Sequence, residues 1–136
     1  LEVQPNLCPE IRVIKKNFFL NYIPSFKENV HKHNKGHVLV IGGKMSGASR
    51  IVALSSRKTG AGLSSINIQE KDLKYYCCSE PGTIIKTGEI PHMNFRCMVI
   101  GPGLGDSYDM FKIANLIEKV NFPMIIDADA LSIFSK

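Results

Sequence analysis

Apolar residues in this chain cluster into short runs, each ending at glycines or an acidic residue before a stretch of helical period begins. That alternation predicts βα units. His37-Val38-Leu39-Val40-Ile41 is the first run; it ends at Gly42-Gly43, and residues 46–59 follow as a helix with Ala48, Ile51, Val52 and Ser55 on one face. Gly60 stops that helix, because a residue without a Cβ tolerates left-handed geometry just past a helix end. Residues 63–69 form a second expected strand, and a short helix plus the strand Thr83-Ile84-Ile85-Lys86 are expected within residues 70–92. Cys97-Met98-Val99-Ile100 runs directly into Gly101-Pro102-Gly103-Leu104-Gly105. Asp106 is then the expected N-cap, with Asp109 three positions on, and Met110, Ile113, Ala114, Ile117 and Val120 keep helical spacing. Pro123 marks the restart, and Met124-Ile125-Ile126 is a last strand ending at Asp127-Ala128-Asp129-Ala130-Leu131.

Strands that are continuously apolar, rather than alternating, imply a sheet covered on both faces and therefore mostly parallel. The expected architecture is a three-layer α/β/α sandwich. At 136 residues, one core is the natural expectation. Residues 1–30 differ in texture: Phe18, Phe19, Leu20, Tyr22 and Ile23 are apolar, Pro24 interrupts, and a polar run leads to Gly36. They read as a linker, or the tail of a preceding domain, plus one docked segment, with the α/β domain occupying residues 31–136.

Composition narrows the function classes. The formal charge is +5, but the basic residues are spread along the chain without interleaved aromatics, which argues against nucleic acid and suits a phosphate-rich small ligand. No apolar run reaches the roughly 18 residues of a membrane span, and the first residues lack a signal-peptide layout, so a cytoplasmic location without membrane contact is expected. Cys8, Cys77, Cys78 and Cys97 have no Cys-x-x-Cys spacing and read as reduced thiols.

In parallel α/β sheets ligands sit outside the carboxyl ends of the strands, where glycine turns let backbone N–H groups approach a phosphate. Three such ends are visible: Gly42-Gly43-Lys44-Met45-Ser46-Gly47-Ala48, residues 101–105, and residues 127–129. The first is not a P-loop, because no Gly-Lys-Ser/Thr follows at the required spacing, and it reads equally as a tight turn or a binding loop. The second departs from a dinucleotide fingerprint, its third glycine one position early and Pro102 stiffening the turn. His31, His33 and His37, interspersed with Lys32 and Lys35, read as a solvated basic loop rather than a metal site. Asp129 reads as a helix cap, with ligand binding the lesser alternative; Asp127, at the strand end itself, reads as a ligand-facing carboxylate.

Taken in order, Lys35-Gly36-His37-Val38-Leu39-Val40-Ile41-Gly42-Gly43, Ser46-Gly47-Ala48, Gly60-Ala61-Gly62-Leu63, Ile100-Gly101-Pro102-Gly103-Leu104-Gly105 and Asp127-Ala128-Asp129-Ala130-Leu131 closely resemble the motifs of the ADP- or ATP-dependent NAD(P)H-hydrate dehydratases. The resemblance covers Lys35 to Lys136. It implies a ribokinase-like fold and a repair reaction: ATP or ADP, with Mg2+, phosphorylates the hydroxyl of hydrated NADH or NADPH, and elimination of phosphate restores the reduced cofactor. It also implies that Ala48, Gly103 and Gly105 line the pocket for the hydrated dinucleotide, that Asp127 borders it, and that Gly43, Ser46, Gly47 and Asp129 stand nearby. A homo-oligomer is expected, and a fused epimerase domain upstream is an open alternative for the origin of residues 1–14.

Departures from the family pattern carry expectations of their own. Family members continue past the Asp-Ala-Asp-Ala-Leu motif to a histidine-containing loop and a Gly-x-Gly-Asp turn whose aspartate is the base. The catalytic residue is therefore expected beyond Lys136 and none before it, so that this chain alone is expected to be inactive. Lys44 stands where the family commonly has serine, and Ser49-Arg50 enlarges a stretch of usually small residues. Two rival readings remain at this level: a ribokinase-like vitamin or sugar kinase, and a non-catalytic remnant or assembly module.

Overall fold

A computed structural model of the chain describes residues 15–23, 31–32, 34–78, 80–90 and 95–132. In chain order the elements are α1 (Lys16–Leu20), β1 (His37–Ile41), α2 (Ser46–Lys58), β2 (Leu63–Ile68), a 3-10 helix (Glu70–Tyr76), β3 (Thr83–Thr87), β4 (Cys97–Ile100), α3 (Met110–Lys119), β5 (Met124–Ile126) and α4 (Ala128–Leu131). The strands form one five-stranded sheet, ordered β3-β2-β1-β4-β5 and paired in parallel throughout. The chain winds from β1 through β2 to β3, then returns to the other side of β1 and continues through β4 to β5. Its direction therefore reverses between β1 and β4, where open parallel sheets form a crevice at the strands' carboxyl ends.

Each sheet face has its own core. Leu39 and Ile41 of β1 point to one side, where Phe95, Met98, Ile100, Leu104, Ile113 and Ala130 bury them beneath α3. Val40 points to the other, where Ala53 of α2, Ile66 and Ile68 of β2 and Tyr76 of the 3-10 helix enclose it. This explains the unbroken apolar run in β1: with helices on both faces, each alternate side chain finds a core. The expected α/β architecture is present. The edges are different, for Ile125 of β5 and Ile84 of β3 are exposed, so these strands are covered less completely than the central ones.

Several local expectations are corrected. The buried residues of α2 are Ser49 and Ala53, while Ile51 is 66% exposed; the element is the expected helix, but its inward face is rotated from that expected. Helix α3 begins at Met110, and its cap is Asp109, whose Oδ1 accepts from the Phe111 N–H at 2.8 Å, not Asp106. His37 is buried: its Nε2 lies 2.7 Å from Ser65 Oγ and its ring meets Phe95 edge-on at 4.6 Å, so it does not belong to a solvated loop. His31 is exposed, and His33 lies outside the described residues. Helix α1 and the turn after it leave Phe18, Phe19, Leu20, Tyr22 and Ile23 exposed, so no docking of this segment is seen among the described residues.

Cys77 and Cys78 are exposed free thiols and Cys97 is a partly buried one; Cys8 lies outside the described residues. Lys136, beyond which the catalytic residue is expected, also lies outside them, as do the three residues before it. Among the described residues no helix is long and apolar enough to cross a membrane.

Candidate functional site

Two glycine-rich segments interlock at the switch point. The loop after β1 carries Gly42 to Ala48, and the turn after β4 carries Gly101 to Gly105. The Met45 N–H donates to Gly103 O at 3.2 Å, and the Lys44 N–H donates to the buried Ser107 Oγ at 2.8 Å. At Gly43 a side chain would collide with the Leu104 backbone, and at Gly103, with φ +74°, one would collide with Met45 O. Both glycines are therefore required by close backbone approach, and Gly103 by its positive φ as well.

Ala48 sits on the first half-turn of α2 beside this junction, its Cβ 3.2 Å from where a side chain on Gly103 would start. Ser46 opens α2, and Gly47 follows it with nothing within 4 Å of its missing Cβ. The backbone amides of that first helical turn carry the partial positive charge of a helix start, and no acidic side chain occupies the turn. Ala48, Gly103, Gly43, Ser46 and Gly47 are thus brought to one rim.

The carboxylates arrive from β5. The Asp127 N–H donates to Ile100 O at 3.0 Å, which pins the end of β5 beside β4, and a side chain on Gly101 would strike the Asp127 backbone. Asp127 occupies the N-cap position of α4 but makes no side-chain capping bond and is exposed. Asp129 does not cap: its Oδ2 accepts from the Gly105 N–H at 2.8 Å, fixing the turn after β4. The expectation that Asp129 caps the helix is therefore corrected: it organises the glycine turn, while Asp127 holds the cap position with its side chain left exposed. Between them Ala128 adopts φ +44°, a left-handed conformation costly for a residue with a Cβ.

One organiser of the rim was not singled out from the sequence. Tyr76, at the end of the 3-10 helix, is buried, and its hydroxyl donates to Gly43 O at 2.8 Å while lying 2.7 Å from Ser49 Oγ. With the phenol proton on Gly43, Ser49 is the donor to Tyr76. Burial pushes the Tyr76 phenol up from its ordinary value, the Ser49 hydrogen bond opposes this, and the Asp72 carboxylate adds to the rise. Tyr108 is likewise raised, mainly by burial and further by Asp72 and Tyr76. The contact between Tyr76 and Gly43 spans 33 residues of sequence, and no local periodicity encodes it.

No three His, Cys, Asp or Glu side chains converge on a metal-holding position among the described residues. These residues supply no cage of their own for Mg2+, which binds phosphates and water readily when protein ligands are few.

The doubly wound parallel sheet with its glycine-lined rim defines an α/β protein with a switch-point crevice. A solved ribokinase-like superfamily protein from Enterococcus faecalis V583 superposes with a TM-score of 0.74 at 23% identity, over 90% of this chain and 47% of that one. The family model described as NAD(P)H-hydrate dehydratase matches residues 38–136, and this chain belongs to that family. A bifunctional NAD(P)H-hydrate repair enzyme of Dictyoglomus turgidum is 35% identical over 81% of this chain and 25% of its own length. An ATP-dependent (S)-NAD(P)H-hydrate dehydratase of Pediculus humanus subsp. corporis is 31% identical over 82% of this chain and 42% of its own. The chain thus spans well under half the length of these relatives.

Proposed function

We propose that the rim formed by residues 42–48 and 101–105 cradles hydrated NADH or NADPH, within a protein that uses ATP or ADP to restore the reduced cofactor. The observation that supports this reading is the interlock of the two glycine segments, which brings Ala48, Gly103 and the start of α2 together at the carboxyl ends of β1 and β4 with backbone and small side chains at the junction. The rim lies at the switch point of the sheet, where such ligands bind.

In the reaction a phosphoryl group passes from the nucleotide to the hydroxyl oxygen of the hydrate. The C–O bond then breaks with its electrons leaving on phosphate, a neighbouring ring proton departs, and the double bond returns. Mg2+ would screen the nucleotide phosphates during transfer. Ala48, Gly103 and Gly105 hold the ring and exclude water, Asp127 accepts a hydrogen bond at the border of the pocket, and Asp129 keeps the Gly105 amide in place. Gly43, Ser46 and Gly47 present the start of α2 to the anionic part of the ligand. None of these residues supplies the acid–base group for the transfer; their part is to bind and orient the hydrate. The working protein is a cytoplasmic homo-oligomer.

The test is to supply the full gene product with hydrated NADPH and either ATP or ADP and to follow the return of reduced-nicotinamide absorbance. Nucleotide-dependent recovery is expected. A well-folded product that leaves the hydrate unchanged overturns the reading.

A further inference from the structure

A second recess opens on the same rim. Lys44, Lys71, Asp72, Lys74, Tyr75 and Asp106 line a cleft of about 240 Å3 between the loop after β1, the 3-10 helix after β2 and the turn after β4. It adjoins the cradle at two points, since Lys44 lies between Gly43 and Met45 and Asp106 follows Gly105. The volume is below the roughly 300–1,000 Å3 of a complete small-molecule site, so the cleft suits one moiety of a larger ligand.

Its charges are arranged by depth. Asp72 is 4% exposed, and no donor among the described residues reaches its Oδ2. Lys44 and Asp106 stand at the mouth, 53% and 79% exposed, in a loose pair at 3.7 Å that an incoming anion could open. Lys71 and Lys74 are exposed, and the Lys74 ammonium lies 5.1 Å from the centre of the Tyr75 ring. A desolvated carboxylate oxygen without a donor is unfavourable, and a ligand hydroxyl is the neutral group that would satisfy it. Ammonium groups beside it call for an anion. A hydroxyl next to an anion, in a space for one moiety, is the chemistry of a sugar phosphate.

We propose that this cleft is a phosphoribosyl subsite continuous with the cradle: Lys44, Lys71 and Lys74 take a phosphate of the dinucleotide, and Asp72 accepts from the adjoining ribose hydroxyl. The inference rests on the reading that the cradle takes a dinucleotide. Two phosphates share the required chemistry, the bridging pyrophosphate and the 2′-phosphate of NADPH, and binding measurements separate them.

Titration calorimetry on the full chain with NADPH, NADH and inorganic pyrophosphate, repeated for K71A/K74A and for K44S, tests the proposal. The double variant is expected to weaken pyrophosphate and NADPH by about tenfold and to flatten the salt dependence of binding. An equal loss for NADH assigns the subsite to the bridging pyrophosphate; a loss confined to NADPH, with pyrophosphate still weakened as a phosphate mimic, assigns it to the 2′-phosphate. Unchanged affinity for all three ligands in the folded double variant overturns the subsite and leaves the cradle standing. Pyrophosphate held by the lysines, with neither dinucleotide bound by the unmodified chain, overturns the cradle reading and with it the dinucleotide assignment of the cleft.

Discussion

A methyl group added to Gly103 would stand 3.2 Å from the Cβ of Ala48 and collide with the carbonyl oxygen of Met45. The two sequence segments meet this closely because they carry the smallest side chains available here, and Gly103 also has φ +74°. Gly103→Ala is therefore expected to cost about 1–2 kcal/mol for the backbone conformation alone, with the collision added. Ala48→Val should cost less stability, because Ala48 is only half-buried, yet it should weaken dinucleotide binding by narrowing the rim. Thermal unfolding read alongside NADPH titration separates the two effects. A Gly103→Ala variant as stable as the parent would show that the two segments do not pack in this way.

Asp127 and Asp129 are adjacent on the rim but do different work. Asp129 accepts from the Gly105 amide, whereas Asp127 makes no side-chain capping bond. Asp129→Ala should cost about 1 kcal/mol and loosen the turn after β4, with Asp129→Asn recovering part of the loss because its amide oxygen still accepts. Asp127→Ala should leave stability within about 0.5 kcal/mol and show itself only in ligand affinity. Denaturant midpoints for the three variants check the ordering, and equal losses at both aspartates would contradict it.

The strands were legible from the sequence because β1, β4 and β5 are short apolar runs closed by glycine or an acid, while β2 was read from its alternation. The helix faces were less so. Ser49 and Ala53, not the bulkier Ile51, turn inward from α2 because the 3-10 helix places the Tyr76 hydroxyl against Ser49. That choice depends on a contact 27 residues away, which the helical period of α2 cannot report. The same limit applies to Asp106 and Asp109: both are competent caps by residue type, and in the fold Ser107 bonds the Lys44 amide while α3 starts after Asp109. Glycines of the rim were readable as a group, since their spacing after β1 and β4 follows from chain reversal at strand ends. Which glycine faces which, and that Gly43 is wedged against Leu104, required the sheet order.

Alkaline pH should destabilise the fold through Tyr108 and Tyr76. Burial is the leading cause that raises both phenols above the ordinary value of 10.0, so the native state holds their protons more tightly than the unfolded chain. For such a group the stabilisation is complete below the unfolded value and is lost as pH rises past it toward the folded one. Stability should therefore stay level through neutral pH, as far as these two groups decide it, and fall above about pH 10. Tyr108→Phe should make the alkaline fall shallower. Urea midpoints measured across that range decide the point, and an unchanged slope in Tyr108→Phe would remove Tyr108 from the account.

Tyr76→Phe isolates the hydroxyl that joins the core around Val40 to the rim. The ring would remain packed against Val40, Ala53, Ile66 and Ile68, so hydrophobic burial is nearly unchanged. What is lost is the donor to Gly43 O and the acceptor for Ser49 Oγ, both in buried surroundings. Leaving a buried carbonyl without its donor costs about 1–3 kcal/mol, although Ser49 can turn back to Ser46 O, 3.1 Å away, and recover its own bond. The expected loss therefore lies at the lower end, about 1–2 kcal/mol. Gly43 would then lose its bond to the phenol, and the loop carrying Lys44 to Gly47 should sample a wider range of positions. Amide exchange at Lys44 and Met45, whose N–H groups bond across to Ser107 and Gly103, should accelerate more than exchange in β1 itself. Ser49→Ala makes the complementary test, since it removes the donor to Tyr76 but leaves the phenol proton on Gly43. It should lower stability with little change in exchange at Lys44 and Met45. Equal acceleration in both variants would mean that Ser49, and not the phenol bond to Gly43, sets the position of the loop.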